Sequence, residues 1–184
     1  SIAENNANQA KQMRPHSKNG IVVKGIHDVA VRFSKCCSPV PGDEIVGFVT
    51  RGRGISIHRT DCVNIIHLSE AERTDCINVL NLPEIERARL IEAEWEPSDT
   101  GADGEKYMAE INIFAHNRSG LLADISKALT ERNIDIQTMN TRTNKQGIAT
   151  LSTSFEISSR EELNQIVAKL RNIESVIDIE RTTG

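Results

Sequence analysis

What this sequence lacks narrows it before any motif is read. Among its 184 residues no apolar run approaches ~18, so nothing reads as a transmembrane helix. The opening stretch SIAENNANQAKQ has no apolar core, so it does not read as a secretory signal. Four cysteines, two of them adjacent, are too few for a dense disulfide scaffold. Without a secretion signal a cytoplasmic location is expected, where clustered cysteines point to metal before disulfide. No catalytic constellation stands out. Arg51-Gly52-Arg53-Gly54 lacks the Gly-Lys-Ser/Thr ending and following helix of a phosphate loop. A Cys–His nucleophile would have to use the same residues as a metal site. No charge sign dominates either: 22 basic against 26 acidic side chains leave −4, which alone argues against a nucleic-acid partner.

What is present is ordinary for a soluble globular chain, 38% hydrophobic and 26% charged, and the length suits one large domain or two small ones. The charge is unevenly spread. Residues 11–60 hold nine basic and three acidic side chains, and residues 61–110 hold four and thirteen. Residues 111–184 hold nine of each. A basic face can therefore coexist with an acidic total.

Residues 1–20, polar and rich in Asn and Lys, read as a flexible linker. Residues 97–105, with Pro97, Ser98, Asp99, Gly101, Asp103 and Gly104, read as a second linker. Two domains follow, 21–96 and 106–184. The first shows short strand signals at 21–24, 29–34, 45–50, 54–58 and 89–96, with a hairpin turn at 51–54. In the second, Tyr107 to Ala115 alternates apolar and polar. Leu121, Leu122, Ile125, Ala128 and Leu129 recur at helical spacing with Ser119 as N-cap. Strands are predicted at 133–142 and 148–157, the latter pointing Phe155 inward. Ser158 with Glu161 reads as a capping box before a helix carrying Leu163, Ile166, Val167 and Leu170. A strand through Val176, Ile177 and Ile179 closes a βαββαβ order. The predicted class is α+β: a small β-rich domain, then a ferredoxin-like sandwich.

Residues 59–72 are repeated at 73–86, eight of 14 positions being identical. A short tandem duplication explains this, and an extended helix through 61–82 would absorb it without changing faces.

Cys36-Cys37, then 20 residues, then His58-x-x-x-Cys62 bring four N/S ligands as two close pairs, the donor set of tetrahedral zinc. The intervening hairpin would bring the pairs together. Core thiols or a redox pair are the competing explanations. Cys76 is the second-copy counterpart of Cys62, but Glu72 stands where His58 stands in the first copy, so Cys62 is preferred. Lys24, Arg32, Lys35, Arg51, Arg53 and Arg59 flank the cluster, and a small zinc domain with a basic rim suits an RNA backbone.

The block Cys36-Cys37-Ser38-Pro39-Val40-Pro41-Gly42-Asp43-Glu44-Ile45-Val46-Gly47-Phe48-Val49-Thr50, with Gly52-x-Gly54-Ile55-Ser56-Ile57-His58-Arg59-Thr60-Asp61-Cys62, resembles the zinc-finger (conserved-cysteine or RIS) domain of long RelA/SpoT-family proteins. These are the ribosome-associated enzymes that make and degrade the alarmone (p)ppGpp. Residues 106–184 resemble the ACT domain of the same proteins, with Asn117 where many members carry Asp. The resemblance implies a structural zinc on Cys36, Cys37, His58 and Cys62. It implies docking on ribosomal RNA and A-site tRNA, for which Arg32, Lys35, Arg51, Arg53 and Arg59 are the candidate contacts by their place around the cluster. It implies restraint of distant catalytic domains of the parent chain, a regulatory role at Asp61, and no turnover in this region. As an alternative, ACT domains often pair as homodimers and bind amino acids. Asn117, Arg118, Ser119, Gly120, Leu121 and Leu122 are the residues such a site would use, for a branched-chain amino acid. The 14-residue repeat departs from the usual family length.

Overall fold

The computed structural model describes residues 20–26, 29–70, 89–96 and 104–182. The second copy of the repeat, Cys76 included, and the predicted helix beyond residue 70 lie outside the described residues.

The N-terminal unit is one five-stranded sheet. Its strands are β1 (Ile21–Val23), β2 (Val31–Phe33), β3 (Ile45–Val49), β4 (Ile55–Arg59) and β5 (Leu90–Trp95), with α1 (Val63–Glu70) after β4. The order is β1-β5-β3-β4-β2, antiparallel except for β2 beside β4. Alternation sorts its side chains between two faces. On one, Ile21, Val23, Ile55, Ile57 and Ala93 form a buried cluster backed by Ile45, Val49 and Ile91. On the other, Val46 and Leu90 pack against Cys37, Cys62 and Ile65. Two glycines decide the sheet's shape. Gly47 lies where a Cβ would fall 2.6 Å from Ile91 Cγ2 and 2.9 Å from Ile55 Cγ2. Gly54 adopts φ +78° and brings its backbone so close to Ala30 that a Cβ would sit 2.1 Å from the Ala30 carbonyl oxygen. That approach lets the Ile55 N–H reach the same carbonyl at 2.8 Å, joining β4 to β2.

The C-terminal unit comprises β6 (Tyr107–His116), α2 (Leu121–Thr130), β7 (Ile136–Thr143), β8 (Ile148–Ile157), α3 (Arg160–Arg171) and β9 (Val176–Arg181). Its sheet order is β7-β8-β6-β9, all antiparallel, the ferredoxin-like arrangement the βαββαβ order predicts. Ala109, Ile111, Ile113 and Ala115 of β6 and Ala149, Leu151, Phe155 and Ile157 of β8 are buried with Ile125 and Leu129 of α2 and Leu163, Ile166 and Leu170 of α3. Phe155 is inward, as its alternation requires.

Two helix starts differ from expectation. Gly120, not Ser119, caps α2, in a left-handed conformation with no side-chain cap. The capping box of α3 sits one residue later than predicted: the Ser159 hydroxyl accepts from the Glu162 N–H, and the Glu162 carboxylate accepts from the Ser158 N–H. Paired Ser-Ser and Glu-Glu make both frames readable in the sequence, and only the chain's exit from β8 chooses between them. The strand expected from residue 133 starts at Ile136, because Asn133 turns left-handed (φ 54°) to close α2.

Candidate metal centre

β4 delivers His58 to the Val46 face of the sheet, since Val46 and His58 are cross-strand partners. The turn after β2 delivers Cys36 and Cys37, and the turn leading into α1 delivers Cys62. The four ligand atoms lie within 4.8 Å of one another. Cys36 Sγ is 4.0 Å from Cys37 Sγ, 3.6 Å from Cys62 Sγ and 3.4 Å from His58 Nδ1, and Cys37 Sγ is 3.9 Å from that nitrogen. Bonds of 2.0–2.3 Å at tetrahedral angles require ligand separations of ~3.6–3.8 Å. The spacing therefore fits a single ion. It does not fit a disulfide, whose sulfurs stand ~2.05 Å apart. Cys37 and Cys62 are buried, Cys36 and His58 half-buried.

Burial sets the electrostatics. It pushes the Cys37 and Cys62 thiols up and His58 down, so the centre prefers neutral groups until a cation compensates thiolates there. The Cys37 sulfur also accepts the Arg59 backbone N–H at 3.3 Å, which favours its anionic form. When bound, zinc at this donor set would act structurally, tying the β2 turn, β4 and the start of α1 together.

The other predicted residues scatter. Arg51 and Arg53 are exposed at the hairpin tip, with no hydrogen bond or ion pair to the described residues. Both lie beyond the Ile55 end of β4, itself three residues or about 10 Å by strand rise from His58. They form a projecting tip and not a rim around the ligands. Arg32 and Lys35 are exposed on and just after β2. Arg59 does not belong with them. It is 6% exposed, and its guanidinium is paired with Asp61 and donates to the Cys37 and Thr182 carbonyls. Alternation explains this, because Arg59 leaves the strand on the face opposite His58. Partial burial works to raise the Asp61 carboxyl, but the Arg59 hydrogen bond and charge outweigh it and hold it below its ordinary value. Sequence reasoning passed over Arg89. Its guanidinium lies 4.6 Å over the Phe48 ring and donates to the Val49 carbonyl, beside the hairpin tip. No local pattern marks it, since β3 and β5 are joined only by the sheet.

At the expected ACT site, Arg118 is spent internally. Its guanidinium donates to Ser175 Oγ, the Ser119 and Glu174 carbonyls and, at 2.6 Å, Asp124 Oδ2. Asn117, Ser119, Gly120 and Leu122 are exposed, while Leu121 is buried in the core.

Comparison with known proteins matches these two units separately. Residues 21–79 match the RelA/SpoT RIS domain, and residues 103–181 match the ACT domain. A GTP pyrophosphokinase of Streptomyces coelicolor is 34% identical over 176 residues, 96% of this chain and 18% of that protein. A bifunctional (p)ppGpp synthase/hydrolase RelA of Mycobacterium tuberculosis is 33% identical over 185 residues, 100% of this chain and 22% of that protein. A GTP pyrophosphokinase of Escherichia coli is 33% identical over 174 residues, 94% of this chain and 21% of that protein. The chain spans about a fifth of the length of these relatives. It is a RelA/SpoT RIS domain followed by an ACT domain, matching the GTP pyrophosphokinases of that family over nearly all of its own length.

Proposed function

We propose that this chain is a regulatory, non-catalytic C-terminal module of a stringent-response (p)ppGpp synthetase/hydrolase. In this reading the RIS domain holds a structural zinc and presents its β3–β4 hairpin to ribosomal RNA and A-site tRNA, while both domains restrain the catalytic domains of the parent chain. The observation that carries it is the pairing of a zinc-compatible Cys3His cluster at one end of β4 with Arg51 and Arg53, unpaired among the described residues, in the turn beyond the other. A metal that staples the base of a small sheet stiffens the hairpin, so two guanidinium groups reach phosphate oxygens at low entropic cost. Arg89 and Phe48 stand beside them.

Ribosome co-sedimentation across a salt series tests the proposal. Arg51→Glu with Arg53→Glu should weaken binding and lower the slope of log affinity against log salt by about one to two. Unchanged affinity and slope would remove the hairpin from the interface. The alternative of an ACT homodimer sensing a branched-chain amino acid is less favoured. Arg118, the cation such a ligand's carboxylate would use, would have to abandon Asp124 and Ser175 first.

A further inference from the structure

The segment that follows the second cysteine belongs to both domains. It leaves Cys37 in the candidate centre and ends at Asp43. Between them Val40 is fully buried, and its neighbours are the ACT core of β6, β8 and the two C-terminal helices. The Pro41 carbonyl accepts the Arg160 N–H at 2.7 Å, satisfying an amide at the open N-terminus of α3. Gly42 packs so near that a Cβ would lie 3.2 Å from Arg160 Cβ.

Asp43 closes the segment. Its side chain is 4% exposed, and its two oxygens receive Arg181 Nη1 at 2.7 Å and Nη2 at 2.9 Å. The same carboxylate accepts the Val40 N–H at 2.9 Å, and Arg181 Nη2 also donates to the Ser38 carbonyl at 3.1 Å. The Asp43 carbonyl accepts the Trp95 indole N–H at 2.9 Å. From the ligand side, Arg59 donates Nη1 to the Cys37 carbonyl at 3.4 Å and to Thr182, just past β9, at 3.5 Å. Phe33, Trp95 and Tyr107 complete the seam, with ring centroids 5.6–5.7 Å apart.

We propose that the metal centre and the ACT sandwich form one cooperative unit through the loop Cys37–Asp43, so that metal occupancy and ACT stability rise and fall together. The proposal rests on the metal-binding part of the reading above. The ion would hold the loop at Cys36 and Cys37. Loss of that hold frees the path of Ser38 to Asp43. Val40 can then withdraw from a close-packed core that tolerates no void, and the buried Asp43 carboxylate is drawn away from the half-buried Arg181. Linkage makes the effect reciprocal: whatever displaces the ACT domain weakens the metal, by the same factor. Occupancy of a site in the RIS domain thereby becomes a signal carried by the domain that follows it.

Hydrogen exchange on the intact chain, zinc-loaded and then stripped with a chelator, tests the coupling. The expected result is about tenfold faster exchange in β6, α3 and β9 after stripping. Acceleration confined to residues 31–62 would overturn it. Arg181→Gln, which touches no ligand atom, should lower zinc affinity about tenfold in equilibrium competition with a chromophoric chelator. Affinity equal to the parent's would overturn it. Should Arg181→Gln fail to fold, Val40→Ala gives the same readout in a milder form. A folded chain that takes up no zinc overturns the metal reading and the coupling together, whereas zinc uptake with unmoved ACT amides overturns the coupling alone.

Discussion

Ser34 Oγ lies 2.7 Å from His58 Nε2, the ring nitrogen turned away from the cysteines. Ser34 Oγ in turn lies 2.6 Å from Ser56 Oγ in a buried pair. With Nδ1 ligating a metal, Nε2 would carry the proton and its N–H would donate to Ser34 Oγ. The serine pair then fixes the ring plane, as partners of metal-bound imidazoles commonly do.

Ser34→Ala should accordingly keep the fold but lower zinc affinity by about 10–100-fold. Competition against a chromophoric chelator reads this directly. Ser34→Thr, which keeps a hydroxyl, should restore most of the affinity; equal affinity in Ser34→Ala and the parent would show that the hydroxyl orients nothing.

Metal content separates the two copies of the repeat. Elemental analysis should find about one zinc per chain, the stoichiometry a single Cys3His set implies. Cys62→Ser should abolish it and Cys76→Ser should leave it unchanged. Loss in Cys76→Ser would transfer the fourth ligand to the second copy.

Tyr107 is the sole tyrosine, so tyrosinate absorbance reports it alone. Burial, helped by the hydrogen bond and charge of Glu105, pushes its phenol up from 10.0 to about 12. The folded value is the raised one, so the native state keeps a proton that the unfolded chain releases. The Tyr107 contribution to stability should be intact below pH 10.0 and should fade as pH rises through about 12. A titration midpoint near 10 in the folded chain would mean that Tyr107 is not packed against Phe33 and Trp95.

Gly54→Ala should destabilise the RIS domain by about 1–3 kcal/mol, since it adds a left-handed alanine to a clash with the Ala30 carbonyl. Gly52→Ala, also left-handed at φ +75° but with nothing near its Cβ, should cost less. Thermal denaturation of the two variants gives the comparison. Equal losses would show that conformation alone, not the approach to β2, makes Gly54 necessary.

Much of the fold was legible locally. Alternation along Tyr107–Ala115 and Ile148–Ile157 and the helical stripe from Leu121 to Leu129 place β6, β8 and α2, because period sorts a single element's side chains without reference to its neighbours. The candidate ligand quartet was legible as a set of residue types, four N/S donors in two close pairs, but bringing the pairs together takes β2 beside β4 as well as the β3–β4 hairpin. Ser34 was not, because nothing in its local sequence says that parallel pairing of β2 with β4 will set it beside His58. Arg59 was placed at the rim, because alternation says only that it leaves β4 opposite His58 and not that the chain around Thr182, 123 residues on, reaches that side.

The βαββαβ order and the close spacing of Cys36-Cys37 and of His58 with Cys62 were thus readable without the fold, because both follow from periodicity and short-range spacing. Tertiary structure alone decided that Val40 lies in the other domain's core and that Asp43 is neutralised by Arg181, 138 residues later. A valine and an aspartate in a Pro-Gly loop read as surface residues. Only the surface that folds over them determines whether water or protein satisfies them.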